Sequence, residues 1–130
     1  MGKINSRQKG AAGEREAAHF LSGLGFTARR SVQNGVTDGR DIVVDDLPWV
    51  YFEVKRDNTV KFERAEFYSA IEQAKDKAKD KPWCLLWRGD NQMWRLTFWD
   101  DKCGLVTVHQ CADIAACLKM LNTKGASDEG

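Results

Sequence analysis

Histidine is scarce in this 130-residue chain: His19 and His109 are the only two. The four cysteines, Cys84, Cys103, Cys111 and Cys117, contain no C-x-x-C pair. Neither set has zinc spacing, so a zinc fold is excluded and the thiols read as reduced and mostly buried. No apolar run is long enough to span a bilayer and no hydrophobic leader opens the chain, so a cytoplasmic protein with no membrane partner is expected. Proline occurs only at Pro48 and Pro82, each placed to end an element. There is no internal repeat. Net charge is only +1, which does not advertise a polyanionic partner.

The distribution of charge is less neutral than its sum. Residues 1–40 hold Lys3, Arg7, Lys9, Arg15, Arg29, Arg30 and Arg40 against Glu14, Glu16 and Asp38, seven against three, or +4. The remaining ninety residues therefore carry −3. A basic N-terminal third fits phosphate contacts, and it fits a solvated, flexible start equally well.

Length suggests one domain, over residues 1–121, with 122–130 as a disordered tail. Residues 11–25 show helical periodicity: Ala17, Ala18, Leu21 and Leu24 share a face, Arg15, Glu16, His19 and Ser22 lie opposite, and Gly25 suits the stop. Strand signals cover 26–30, 41–44, 51–55, 83–87, 93–99 and 105–109. A second helix is expected over 63–81, with the stripe Phe67, Ala70, Ile71, Ala74 and Ala78, lysines in its last turns and Pro82 as terminator. A third helix is expected over 112–121. The order α-β-β-β-α-β-β, then strand and helix, implies an α/β protein with a mixed sheet flanked by helices. Trp83 and Trp87 read as core, whereas Trp94 and Trp99 fall on opposite faces of one strand, leaving one of them for the surface.

The segment Asp41–Lys55 carries the chemistry. Asp45-Asp46-Leu47-Pro48 is a turn signal between two strands. A hairpin centred on Leu47 sets Ile42 opposite Phe52 and Asp41 opposite Glu53. Ile42, Val44, Val50, Phe52 and Val54 then form one apolar face, and Asp41, Glu53 and Lys55 share the other with Val43 and Tyr51. Glu-x-Lys alone is too short to mean much; the facing Asp41 raises it. Two opposed carboxylates repel, and a divalent cation between them reverses the sign.

Glu14 is the third acid. At 100° per residue it shares the helix face of Ala17, Ala18 and Leu21, so it extends the buried stripe. It is either an N-terminal-turn Glu favoured by the helix dipole or a side chain pointing over the sheet toward the Asp41–Glu53 face, joining it directly or through water. Glu16 points away. Gln73, at the edge of the second helix's stripe, could orient a lysine, a water or a phosphate, or simply lie at the surface. Asp38 is a rival to Asp41, but only Asp41 opens a strand opposite Glu53. Oxygen donors without His or Cys suit Mg²⁺ or Mn²⁺. Carboxylates, such a cation and a lysine one pleat from Glu53 suit phosphodiester hydrolysis.

Asp41 followed by Glu53-Val54-Lys55, after a helix carrying Glu14, resembles the restriction-endonuclease-like PD-(D/E)xK nuclease superfamily. The run Asn5-Ser6-Arg7, Lys9-Gly10, Gly13-Glu14-Arg15-Glu16 and Gly25-Phe26, with Arg56, Ala70 and Gln73-Ala74, is similar to its Holliday-junction resolvase branch of archaeal and phage type. The likeness covers roughly residues 3–80. It implies a restriction-endonuclease-like core, α-β-β-β-α-β, with added C-terminal elements. It implies that Asp41, Glu53, the Val54 carbonyl and Glu14 hold one or two Mg²⁺ or Mn²⁺ ions, that Lys55 serves the attacking water, and that Gln73 belongs to the catalytic set. Arg15, Arg29 and Arg30 would contact DNA backbone, joined by Arg7, Lys9, Arg40 and Arg56. The expected function is resolution of four-way junctions by a homodimer in a bacterial or phage-infected cell. A nuclease of the same fold acting on linear duplex or flap DNA, and a non-catalytic DNA-binding module, are the alternatives. Two departures stand out: Arg40 replaces the proline before Asp41, and the loop 31–39 lacks a clear second serine.

Overall fold

The computed structural model describes the backbone of residues 6–31, 41–56 and 64–129, and the side chains of 12–31, 41–56 and 67–121. The elements run α1 (Ser6–Gly23), β1 (Ala28–Arg30), β2 (Ile42–Val44), β3 (Tyr51–Arg56), α2 (Arg64–Ala78), β4 (Trp83–Arg88), β5 (Arg95–Asp100), β6 (Gly104–Val108) and α3 (Cys111–Glu129). This is the order expected from the sequence. The six strands form one mixed sheet in chain order. Among the described residues only β3 and β4 pair in parallel, because α2 is the crossover between them. The other neighbours are antiparallel.

The β2–β3 hairpin has the expected register, Ile42 opposite Phe52. Alternation then sorts the side chains into two cores. On one face Ile42, Val44, Val50, Phe52, Cys84, Leu86, Leu96 and Phe98 meet Ala17, Ala18 and Leu21 of α1 and Ile114 and Leu118 of α3. On the other, Tyr51, Trp83, Leu85 and Trp87 meet Ala70, Ile71, Ala74 and Ala78 of α2. Each fully buried large side chain contributes roughly 1.5–3 kcal/mol by leaving water. The Trp87 indole N–H donates to Thr97 Oγ1 at 3.0 Å, so this tryptophan is buried without an orphaned donor. Trp94 is buried against Phe20 and Trp99 is 53% exposed, the split expected from their strand positions.

Local chemistry sets the helix ends. Gly25 has φ of 100°. Its N–H reaches Ser22 O at 3.1 Å and the next N–H, of Phe26, reaches back to Leu21 O at 3.1 Å. That pair of bonds is a Schellman stop, as Gly25 suggested. α2 ends earlier than Pro82 implied. Lys79 takes a left-handed conformation, φ 60°, and its N–H closes on Lys75 O at 3.0 Å. Helix α1 begins at Ser6, five residues before the expected start, since Gln8, Lys9, Ala11 and Ala12 are good helix formers. Helix α3 continues from Cys111 through Glu129. No proline interrupts the stretch, and extending a formed helix costs far less than nucleating one. The cysteines are a further correction: Cys84 is buried, Cys117 half-buried, and Cys103 and Cys111 exposed. Among the described residues no helix is long and apolar enough to cross a membrane.

Candidate active site

Asp41 sits one residue before β2 and is pinned through its backbone. Its N–H donates to Phe52 O at 3.0 Å, and its carbonyl accepts the Ser31 N–H at 3.3 Å. The paired register is Ile42 opposite Phe52; Asp41, one residue outside it, bonds Phe52 through its backbone, and the Glu53 charge reaches its carboxylate. Since β2 begins at Ile42, the next inward-facing N–H of β3 needs another acceptor. The Asp41 carboxylate supplies it, with Oδ2 2.8 Å from the Val54 N. Glu53 is buried. Its Oε2 accepts the Tyr51 hydroxyl at 3.1 Å, and its Oε1 accepts Lys77 Nζ at 3.4 Å.

This pairing is electrostatically uphill. Asp41 is raised from 3.8 to about 7, first by burial and then by the Glu53 and Glu14 charges. The Val54 N–H and Lys77 pull it down but do not offset those effects. A cluster with an excess of negative charge and only oxygen donors fits a hard divalent cation. Among the described residues no three His, Cys, Asp or Glu side chains are grouped closely enough to form a metal cage.

Helix α1 packs on the Ile42–Phe52 face, and Glu14 extends from it close enough for its charge to raise Asp41. Its Oε2 accepts Arg30 Nε at 3.2 Å. Its buried-stripe position was legible; its partner, sixteen residues away on β1, was not. Glu16 departs from the solvated role expected of it. Its two oxygens bind Arg88 Nη1 at 2.7 Å and Arg56 Nε at 3.1 Å. Arg56 in turn holds Asp90 at 2.7 Å. The close approach behind this clamp needs Gly13, where an added Cβ would lie 2.6 Å from Arg56 Cβ.

Lys55 shares the face of Glu53 and is exposed. Gln73 is exposed on α2. Lys77, which the sequence reading passed over, is the lysine brought to Glu53. It lies one turn beyond Gln73, so the flank was identified but not the residue. Tyr51, two before Glu53 on the same face, was likewise on the page as a pattern. Of the basic residues, Arg15 is exposed, Arg29 pairs with Asp45 at 2.9 Å, and Arg30 and Arg56 are held as above. The side chains of Arg7 and Lys9, and all of Arg40 and Asp38, lie outside the described residues.

With the geometry in view, the chain can be compared with known proteins. In fold it is similar to an archaeal Holliday junction resolvase. That protein is Hjc of Archaeoglobus fulgidus, from an archaeal hyperthermophile. The match has 16% identity and a TM-score of 0.46, and spans 83% of this chain and 96% of that one. The likeness is one of fold. No known family's sequence profile matches the chain, and no curated protein matches it.

Proposed function

We propose that this protein is a metal-dependent, structure-specific DNA endonuclease that hydrolyses phosphodiester bonds, with four-way junctions as its preferred substrate. The observation that carries the reading is the Asp41–Glu53 pair. Two carboxylates near enough to repel, one of them raised to about 7 by burial and by the other's charge, sustain a repulsion that stability alone does not favour.

In this reading Asp41 and Glu53, with the Val54 carbonyl, hold Mg²⁺ or Mn²⁺, one or two per site. When bound, the ion polarises the phosphate and lowers the pKa of the attacking water. Asp41 is kept in place by the Val54 N–H and Glu53 by the Tyr51 hydroxyl, so both acids are aimed before substrate arrives. Lys55, on the same face, orients the water and offsets charge developing on the phosphate. Glu14 adds negative charge that acts on Asp41 and pairs with Arg30, which is read as a contact to backbone phosphate. Gln73 lies along the α2 flank that borders the site. Arg15, Arg29 and Arg56 are read as further contacts to DNA backbone, as are Arg7, Lys9 and Arg40 from the sequence alone. Two symmetric cuts need two sites, so the reading includes a homodimer.

Side-by-side digestion of labelled four-way junction, flap and linear duplex tests the substrate. Preferential, paired cutting of the junction is expected. Equal cutting of duplex or flap would leave a nuclease of broader substrate, and tight junction binding with no cutting in any divalent metal would leave a binding module.

A further inference from the structure

Helix α2 carries lysines on two flanks. Lys75 and Lys77 lie 200° apart around the axis. Lys75 pairs along the helix with Glu72 at 3.7 Å. Lys77 turns to the sheet, where its Nζ lies 3.4 Å from Glu53 Oε1. The other Glu53 oxygen is taken by Tyr51 at 3.1 Å. Both oxygens of this buried carboxylate are therefore engaged by donors of the chain itself.

A divalent cation shared by Asp41 and Glu53 must take an oxygen of Glu53. Oε1 is the oxygen held by the more mobile partner: the Lys77 side chain is 45% exposed, on a flexible four-carbon stem, whereas Tyr51 is buried. Ammonium and divalent cation are like charges competing for one site, so each lowers the other's affinity. Released from Oε1, an ammonium with three donors is suited to a phosphate oxygen.

We propose that Lys77 is a charge gate: it holds Glu53 until a DNA phosphate draws its ammonium away, so that nucleic acid and divalent cation bind this site cooperatively. The inference rests on the reading of Asp41 and Glu53 as the cation site. By linkage, the factor by which DNA raises cation affinity is the factor by which the cation raises DNA affinity.

The test is Mn²⁺ binding to the whole protein, read from the electron paramagnetic resonance signal of free Mn²⁺. It is run without DNA and with saturating four-way junction, after subtracting Mn²⁺ held by DNA alone. The arm with DNA uses a Lys55→Ala background so that the junction stays intact. Without DNA, Lys77→Met should bind Mn²⁺ roughly tenfold more tightly than wild type, the scale expected for removing a unit charge at contact distance. Lys77→Arg should stay close to wild type. With junction bound, the advantage of Lys77→Met should vanish, because the phosphate has already drawn Lys77 away. Equal Mn²⁺ affinities of Lys77→Met and wild type without DNA would overturn the gate, as would a tenfold difference that persists unchanged with DNA. The underlying site is checked separately by Glu53→Gln. If that variant binds Mn²⁺ as well as wild type, the Asp41–Glu53 assignment falls, and the gate with it.

Discussion

The carboxylate of Asp41 accepts the backbone N–H of Val54 at 2.8 Å, which ties the acid that precedes β2 to the residue between Glu53 and Lys55. One hydrogen bond thus fixes the spacing of the whole candidate site. It also sets up a test, because the bond holds Asp41 where Glu53 repels it.

Stability should depend on pH through Asp41. Its folded pKa is raised from 3.8 to about 7, so between these values the folded state binds more proton than the unfolded state. Its contribution is therefore fully present below about pH 4 and is lost as pH rises through 7. Asp41→Asn removes that dependence and keeps an acceptor for Val54. At pH 8, without divalent cation, the variant should melt on the order of 5 °C higher than wild type. The gap should close toward pH 4. Thermal melts across pH check this, and parallel curves for the two proteins would refute it.

Gly13→Ala should destabilise the fold by roughly 1–3 kcal/mol. Its new methyl would sit 2.6 Å from Arg56 Cβ, and backbone-proximal atoms on both sides cannot swing away. Urea unfolding measures the loss, and a neutral result would mean that α1 does not press on β3 as described.

How much of this was legible in the sequence follows the range of the forces involved. The hairpin register was readable because Ile42, Val44, Phe52 and Val54 must share a face, and a slip by one would expose all of them. The Gly25 stop and the stripe of α2 were equally local. The ion pairs of Glu14 with Arg30 and of Glu16 with Arg56 and Arg88 were not legible, because these partners come from strands that no periodicity links to α1. Lys77 was missed because a lysine near a helix C-terminus already has an adequate explanation in the helix dipole. The early end of α2 depends on Lys79 adopting a conformation that propensity disfavours.

That last point gives a stabilising substitution. Lys79 holds φ of 60°, a region that costs a non-glycine residue about 1 kcal/mol. Lys79→Gly should raise stability by up to about 1 kcal/mol, measured by chemical denaturation. A loss of stability instead would point to a contact by the Lys79 side chain.

Glu16→Ala should cost about 1–2 kcal/mol by leaving Arg56 and Arg88 without their shared carboxylate. Because Arg56 follows Lys55 directly, the same variant should also reduce any cleavage activity more than its effect on melting suggests. Comparing the two readouts at a temperature where the variant is fully folded separates positioning from simple unfolding.

The most direct test of the account is cleavage of a labelled four-way junction by the purified protein in Mg²⁺, in Mn²⁺ and in EDTA, alongside Asp41→Ala and Lys55→Ala. The account predicts cutting by wild type in either metal, none in EDTA, and a loss of at least a hundredfold in each variant while both remain folded. Undiminished cutting by both variants, or by wild type in EDTA, would contradict it.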